Sequence, residues 1–333
     1  MGVTNFDVVQ AAAFIGSQFL TQGKNFHVLP RTGSDGLSGL SPRRGLKTLV
    51  KALAKATADQ NDVVNLMPEG AARDNTSDYQ AAPLVWNKDL VHLIGAGAGS
   101  PFCSRARIAY VSTYVGTGCL FTVSASACLF KNLLFVVDVA SANPVGGVNV
   151  TGERNVFENC QFAGMGDALL DTTGNYSLRV SGGENYFRHC IIGADTIPRG
   201  TGDNSELLLA SSGSGEGARN MFEDCLFVTM AEANTHQFVK RPASASDRST
   251  IFKNCQFINF DWTAGGGVTM LEVFDVTAGG SPAGYIDLFG CSFAGAAAWE
   301  ASSGASGVVR ADNVNAAAAS STHGGRALAV TGA

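Results

Sequence analysis

Charge is scarce in this sequence. Asp, Glu, Lys and Arg make up only 15% of its 333 residues, too little to clothe the outer faces of a helix bundle. Positive charge never concentrates: no run of Lys and Arg exceeds three residues, and the formal net charge is -5. Binding a nucleic-acid backbone takes a dense basic surface, so no nucleic-acid partner is expected. The nearest approach to one, Arg43, Arg44, Lys47, Lys51 and Lys55, reads as the solvated side of one short helix. Long apolar runs are missing too. No stretch nears the ~18 uninterrupted apolar residues of a spanning helix, so no membrane insertion is expected. The stretch from Met1 to Gly23 has neither the basic start nor the long apolar segment of a secretory signal peptide. Synthesis in a cytoplasm without ordinary export is the expectation, which still allows work outside the cell after lysis.

Signatures of chemistry are equally thin. None of the eight cysteines lies in a CxxC pair, and no GxSxG or HExxH occurs. His27, His92, His189, His236 and His323 are dispersed. Gly95-Ala96-Gly97-Ala98-Gly99 lacks both the Lys-Ser/Thr end of a phosphate loop and the spacing of a dinucleotide fingerprint. No cofactor, metal or catalytic residue is expected.

Gly (40) and Phe (20, against 6 Tyr and 3 Trp) are plentiful, a composition suited to short strands joined by tight turns. The phenylalanines recur in a six-residue signature: Phe157-Glu158-Asn159-Cys160-Gln161-Phe162, Phe187-Arg188-His189-Cys190-Ile191-Ile192, Phe222-Glu223-Asp224-Cys225-Leu226-Phe227, Phe252-Lys253-Asn254-Cys255-Gln256-Phe257 and Leu288-Phe289-Gly290-Cys291-Ser292-Phe293. An earlier copy, Phe130-Lys131-Asn132-Leu133-Leu134-Phe135, has Leu in place of Cys. Successive starts lie 27, 30, 35, 30 and 36 residues apart, a fixed rung with adjustable loops, as in a solenoid. A straight strand could not bury Phe252 together with Cys255 and Phe257, which fall on opposite parities. A bend near Asn254 repairs this, leaving polar pairs such as Glu158-Asn159 and Lys253-Asn254 outside or at the corner.

Further strand candidates fill the intervals: Ala168 to Leu170, Ser177 to Val180, Leu207 to Leu209, Gln237 to Val239 and Val268 to Phe274. Three strands per turn make a triangular coil. Earlier rungs are expected at Val63 to Met67, Leu90 to Ile94 and between Arg107 and Val123, and degraded later ones at Val308 to Val314 and Ala327 to Val330. The fold expected is all-β, a right-handed parallel β-helix (solenoid) of about eight to ten coils. Like residues would then stack about 4.8 Å apart, with the cysteines as free, buried thiols. Asn155, Asn185 and Asn220, each two residues before a marker Phe, would cap turns or form an amide ladder. Glu158, Arg188, Glu223 and Lys253 would form an outer ladder of alternating charge. Leu46, Leu49, Val50 and Leu53 predict one face of a capping helix, with Ser41-Pro42 near its start. Four segments follow: 1-26, an N-terminal attachment segment with Phe6, Val9, Phe14 and Phe19 as anchors; 27-60, the opening turn and capping helix; 61-300, the parallel β-helix; and 301-333, a degraded final coil or C-terminal extension.

The run from His27 to Gly39 with its Gly33-Ser34-Asp35 turn, the Leu46 to Leu53 stretch, and Asn65-Leu66-Met67-Pro68-Glu69-Gly70 resemble the opening of pectin-lyase-like β-helix proteins. Within that superfamily the chain looks most like tailed-bacteriophage virion proteins, either head-decoration or spike components. That resemblance implies a non-catalytic structural protein of the virion, made in the host cytoplasm. Its partners would be other virion proteins such as the capsid shell, and it would form a homo-oligomer, a trimer being one candidate. The alternative is a tail spike or fibre that binds or depolymerises host surface polysaccharide. It would call on Asp167, Asp171, Asp195, Asp203 and Glu206 as acids, on Trp86, Trp262 or Asp261 as platform or acid, or on His189 as a base. Four-residue spacing across a strand and turn does not require Asp167 and Asp171 to converge, and the acids read as turn or surface residues.

Overall fold

The computed structural model describes residues 23–69, 77–97, 106–200, 202–210, 219–242, 248–260, 268–276, 284–300 and 309–311. Among these residues the strands form three parallel sheets, here A, B and C, visited in turn as the chain winds. Sheet A has ten strands, running in order from Asn25–Val28 and Asp62–Leu66 to Ile286–Phe289 and Val309–Ala311. Sheet B has eight, from Ser77–Gln80 to Ser292–Ala294, and sheet C seven, from Leu84–Trp86 to Phe274–Val276. The molecule is a right-handed parallel β-helix. No helix among the described residues is long and apolar enough to cross a membrane.

The marker Phe residues set the register. In sheet A, Phe130, Phe157, Phe187, Phe222, Phe252 and Leu288 are paired in sequence from coil to coil. The five rings stack with centroids 4.8, 4.7, 4.6 and 4.8 Å apart. In sheet B the second apolar position does the same, from Phe135 through Phe162, Ile192, Phe227 and Phe257 to Phe293.

Between the two sheets lies the expected bend, and its cause is a left-handed backbone. Asn132, Asn159, His189, Asp224, Asn254 and Gly290 have φ between 51 and 63°. Asn, Asp and Gly tolerate that conformation better than other residues do. The corner returns the following Cys to the interior. Cys160, Cys190, Cys225, Cys255 and Cys291 are free and buried. Each thiol donates to the carbonyl of a marker residue one coil back, as Cys190 does to Phe157 at 3.4 Å and Cys255 to Phe222 at 3.4 Å. Cys119 and Cys128 are also free and buried, and Cys103 lies outside the described residues.

The asparagine ladder closes the corner from sheet C to sheet A. Asn155 Oδ1 accepts from the Cys128 amide at 2.9 Å, Asn185 Oδ1 from the Asn155 amide at 3.0 Å and Asn220 Oδ1 from the Asn185 amide at 2.9 Å. Their amide nitrogens donate to Ala125, Gly152 and Gly182 carbonyls at 2.9 to 3.1 Å. The coils are so close here that a Cβ on Gly182 would meet the Gly152 oxygen at 1.9 Å, so only glycine fits.

The capping helix, α1, covers Leu49–Lys55 and starts at Thr48, whose hydroxyl accepts from the Lys51 amide. Asp35 fixes that start by accepting from the Lys47 and Thr48 amides at 2.9 and 3.0 Å, which explains the Gly-Ser-Asp turn. Glu69 holds the next turn, accepting from the Arg31 and Thr32 amides. The expected apolar face is corrected: Val50 is 54% exposed, and the buried face is Leu49, Ala52, Leu53 and Ala56. Because Thr48 caps at that point, Leu46 precedes the helix and bridges Val28 instead. Pro42–Arg44 forms a separate 3-10 turn. Arg43, Arg44, Lys47, Lys51 and Lys55 are all exposed.

Other boundaries shift. Ala168–Leu170 is a 3-10 turn capped by Asp167, not a strand. The strand expected from Val268 to Phe274 begins only at Phe274. Leu90 is left-handed and precedes its strand, Val91–Gly95. The first rung starts at Asn25 with Phe26 buried, two residues inside the segment 1-26. Residues 1–22, with Phe6, Val9, Phe14 and Phe19, and the stretch 312–333 lie outside the described residues.

Candidate functional site

The outer ladder is built largely as its charges dictate. Lys131 reaches Glu158 at 3.1 Å and Lys253 reaches Glu223 at 2.7 Å. Arg188 does not complete the series: Glu223 accepts its other hydrogen bond from the Tyr186 hydroxyl. Lys253 and Tyr186 hold the Glu223 carboxyl below the ordinary carboxylate range. At the corner His189 Nε2 lies 3.3 Å from Asp224 Oδ2, so a carboxylate does stand beside this histidine, supplied by the next coil. A second ladder went unread in the sequence. Glu184 lies between Arg154, at 2.7 Å, and Arg219. Its signal was the alternating charge immediately before Asn155, Asn185 and Asn220.

The acids suggested for hydrolysis do not converge. Asp167 caps its 3-10 turn through the Leu169 amide at 2.9 Å. Asp171 accepts from the Gly200 amide at 2.7 Å and from the Asn204 side chain. Asp203 pairs with Lys240 at 3.2 Å.

Glu206 is in the interior and fully buried, where a surface acid was expected. It accepts from Arg199 Nε at 3.1 Å, Ser177 Oγ at 2.5 Å and Thr229 Oγ1 at 3.2 Å. His236 lies 2.9 Å from Thr229 Oγ1 and contacts Asn204 on its other nitrogen. Burial first, and then the Arg199 charge, push the His236 pKa well down, so the ring is neutral. This network is sealed from solvent and can orient groups but cannot meet a polymer. Its ion pair is what makes the buried carboxylate tolerable.

Asp195 opens to a concavity. A groove of about 320 Å³ on the outer face of sheet B is lined by Arg107, Asp138, Gln161, Asp195 and Thr196 over a floor that includes Leu134, Ala163 and Ala194. It has carboxylates, an amide and a guanidinium for hydroxyl groups, but no aromatic platform. Trp86 is no platform either: it is buried in the core, its indole N–H donating to Val91 at 2.9 Å. Asp261 and Trp262 lie outside the described residues. Among the described residues no group of three or more His, Cys, Asp and Glu side chains is placed to hold a metal ion.

No family model matches the sequence, and no curated protein matches it. Solved structures do. The pectate lyase Pel9A superposes with a TM-score of 0.55 at 14% identity, over 82% of this chain and 64% of that one. The pectin methylesterase from Aspergillus niger gives 0.51 at 13% identity, over 79% and 88%. The likeness is one of fold. At such identity it transfers no activity, and this chain spans less than two thirds of the lyase's length. Geobacillus virus E2 ORF18 is matched at a TM-score of 0.46 and 13% identity, over 88% of this chain and 56% of that one, a score too low to bear on role.

Proposed function

We propose that this chain is a non-catalytic structural protein of a bacteriophage particle, decorating or stabilising the capsid through subunit contacts. The observation that carries the reading is where the outer acids are spent. Glu158, Glu184, Glu223, Asp203 and Asp287 each pair with a Lys or Arg, and all but Asp203 do so between strands that neighbour each other in sheet A or the turns leading into it. Ties of this kind stiffen a rod and commit these five carboxylates to structure. The sequence resemblance to tailed-phage virion proteins supplies the setting. The partners proposed are the capsid shell and further copies of the chain, and the place of action is the virion. Electron microscopy of purified particles with an antibody against the chain is expected to show regular labelling of the head. Particles without the protein would sink the reading. Deleting residues 1 to 24 is expected to abolish incorporation while the β-helix still folds.

The sheet B groove favours one second reading, a spike or fibre that binds or depolymerises host surface polysaccharide. Reducing ends released from host polysaccharide by the wild type and lost in Asp195→Asn would establish it over the first.

A further inference from the structure

The coil that begins with the Ile286–Phe289 strand buries, at Glu300, a carboxyl group without a hydrogen-bond partner. Its backbone is seated on the coil before: Met270 bridges Ala296, and the Val273 and Phe274 amides donate to the Ala298 and Trp299 carbonyls at 3.0 and 2.9 Å. Trp299 closes the aromatic interior against Phe257, Phe274 and Phe293. The next residue, Glu300, is only 6% exposed. Both its carboxyl oxygens are buried with no hydrogen-bond partner, as is Trp299 Nε1. Another acid, Glu272 from the coil before, acts on it. On that same segment Asp275 lies 3.7 Å from Lys240, which also holds Asp203 at 3.2 Å, so that cation is already shared between two carboxylates. A carboxylic acid can occupy such a place, whereas a carboxylate there lacks both solvent and a hydrogen-bond donor.

We propose that Glu300, opposed by Glu272, is a proton-operated latch: protonated, it lets its segment rest on the Phe257 and Phe274 layer, and ionised, it drives that segment off. Burial, and then repulsion from Glu272, push the Glu300 pKa up to about 7. An acid raised above its ordinary value keeps its proton in the fold while the unfolded chain releases it. The segment is therefore firmest at acid pH and loosens as pH climbs toward and through 7. Opening uncovers Trp299 and the Phe257, Phe274 and Phe293 rings it packs against. The latch is independent of whether the protein serves a capsid or a spike.

Hydrogen–deuterium exchange of the full-length protein tests this, read on residues 286–300 and corrected for the intrinsic pH dependence of exchange. The wild type is expected to lose at least about tenfold protection between about pH 5.5 and pH 8, while residues 156–193 keep theirs. The midpoint is expected near the Glu300 value of about 7. Glu300→Gln is expected to remove the step. Glu272→Gln is expected to keep the step and lower its midpoint, because the repulsion that raises it is gone. A step that persists unchanged in Glu300→Gln overturns the proposal, as does one of equal size in residues 156–193. Protection that survives at the upper pH only with added calcium would reassign the pair as a cation site and overturn proton control.

Discussion

At the scale of single residues, the molecule depends on a few side chains that satisfy buried backbone where two coils meet. Asn185 accepts from the Asn155 amide and donates to the Gly152 carbonyl. Asn185→Ala leaves both groups buried and unpartnered, and a loss of about 2–4 kcal/mol is expected. Arg188, exposed in the next strand, is expected to change stability by less than ~0.5 kcal/mol when replaced by Ala. Urea midpoints of the two variants test the contrast, and equal midpoints would refute it. The left-handed corner gives a second test. Asn254, at φ 52°, should accept Gly with little change, whereas Asn254→Val should cost about 1–2 kcal/mol, since a β-branched residue resists that conformation. Both positions were legible in the sequence because their residue types recur at one place in successive coils.

At the scale of elements, α1 acts as a lid over the first coils. Leu49 and Leu53 are buried while Val50 projects into solvent. Leu49→Asp is expected to uncap the amino end and lower the thermal midpoint by several degrees, with added dye binding to exposed apolar surface. Val50→Asp is expected to leave both unchanged. Similar losses from the two substitutions would show that the helix does not cap. Periodicity pointed to the helix but could not place its start, because a Thr48 cap fixed by Asp35, 13 residues upstream, is a tertiary contact. The turn at Ala168–Leu170 was misread for a related reason: Asp167 bonds the Leu169 amide and so diverts an apolar triplet from strand to 3-10 turn.

Across the whole molecule, the two ends answer pH in opposite senses. His92, buried in sheet A, accepts from the Leu129 amide at 3.0 Å, and burial pushes it down to about 4. A base lowered in this way contributes stability that is full above its ordinary value of 6.5 and is lost as pH falls toward 4. The shift corresponds to ~3 kcal/mol at most. Acidification is therefore expected to raise exchange first around residues 91–95 and 129–131, and His92→Gln to blunt that response. The Glu300 latch loosens the other end as pH rises. A uniform response along the chain would contradict both assignments.

The repeat alone determined the fold, because a parallel stack places like residues on like, and any column of Phe, Cys or Asn must show itself as a period in the chain. It determined the inward and outward positions of the marker strands for the same reason. What only the tertiary structure decided lies off the repeat. Glu206 is a single acid in an apolar strand, and nothing local says that Arg199, Ser177 and Thr229 meet it in the interior. The sheet B groove draws on four coils, from Arg107 to Thr196, and Glu300 gains its character first from burial and then from Glu272 one coil away. Burial and opposing charge are properties of neighbours in space, and the winding of the chain, not its order, chooses those neighbours.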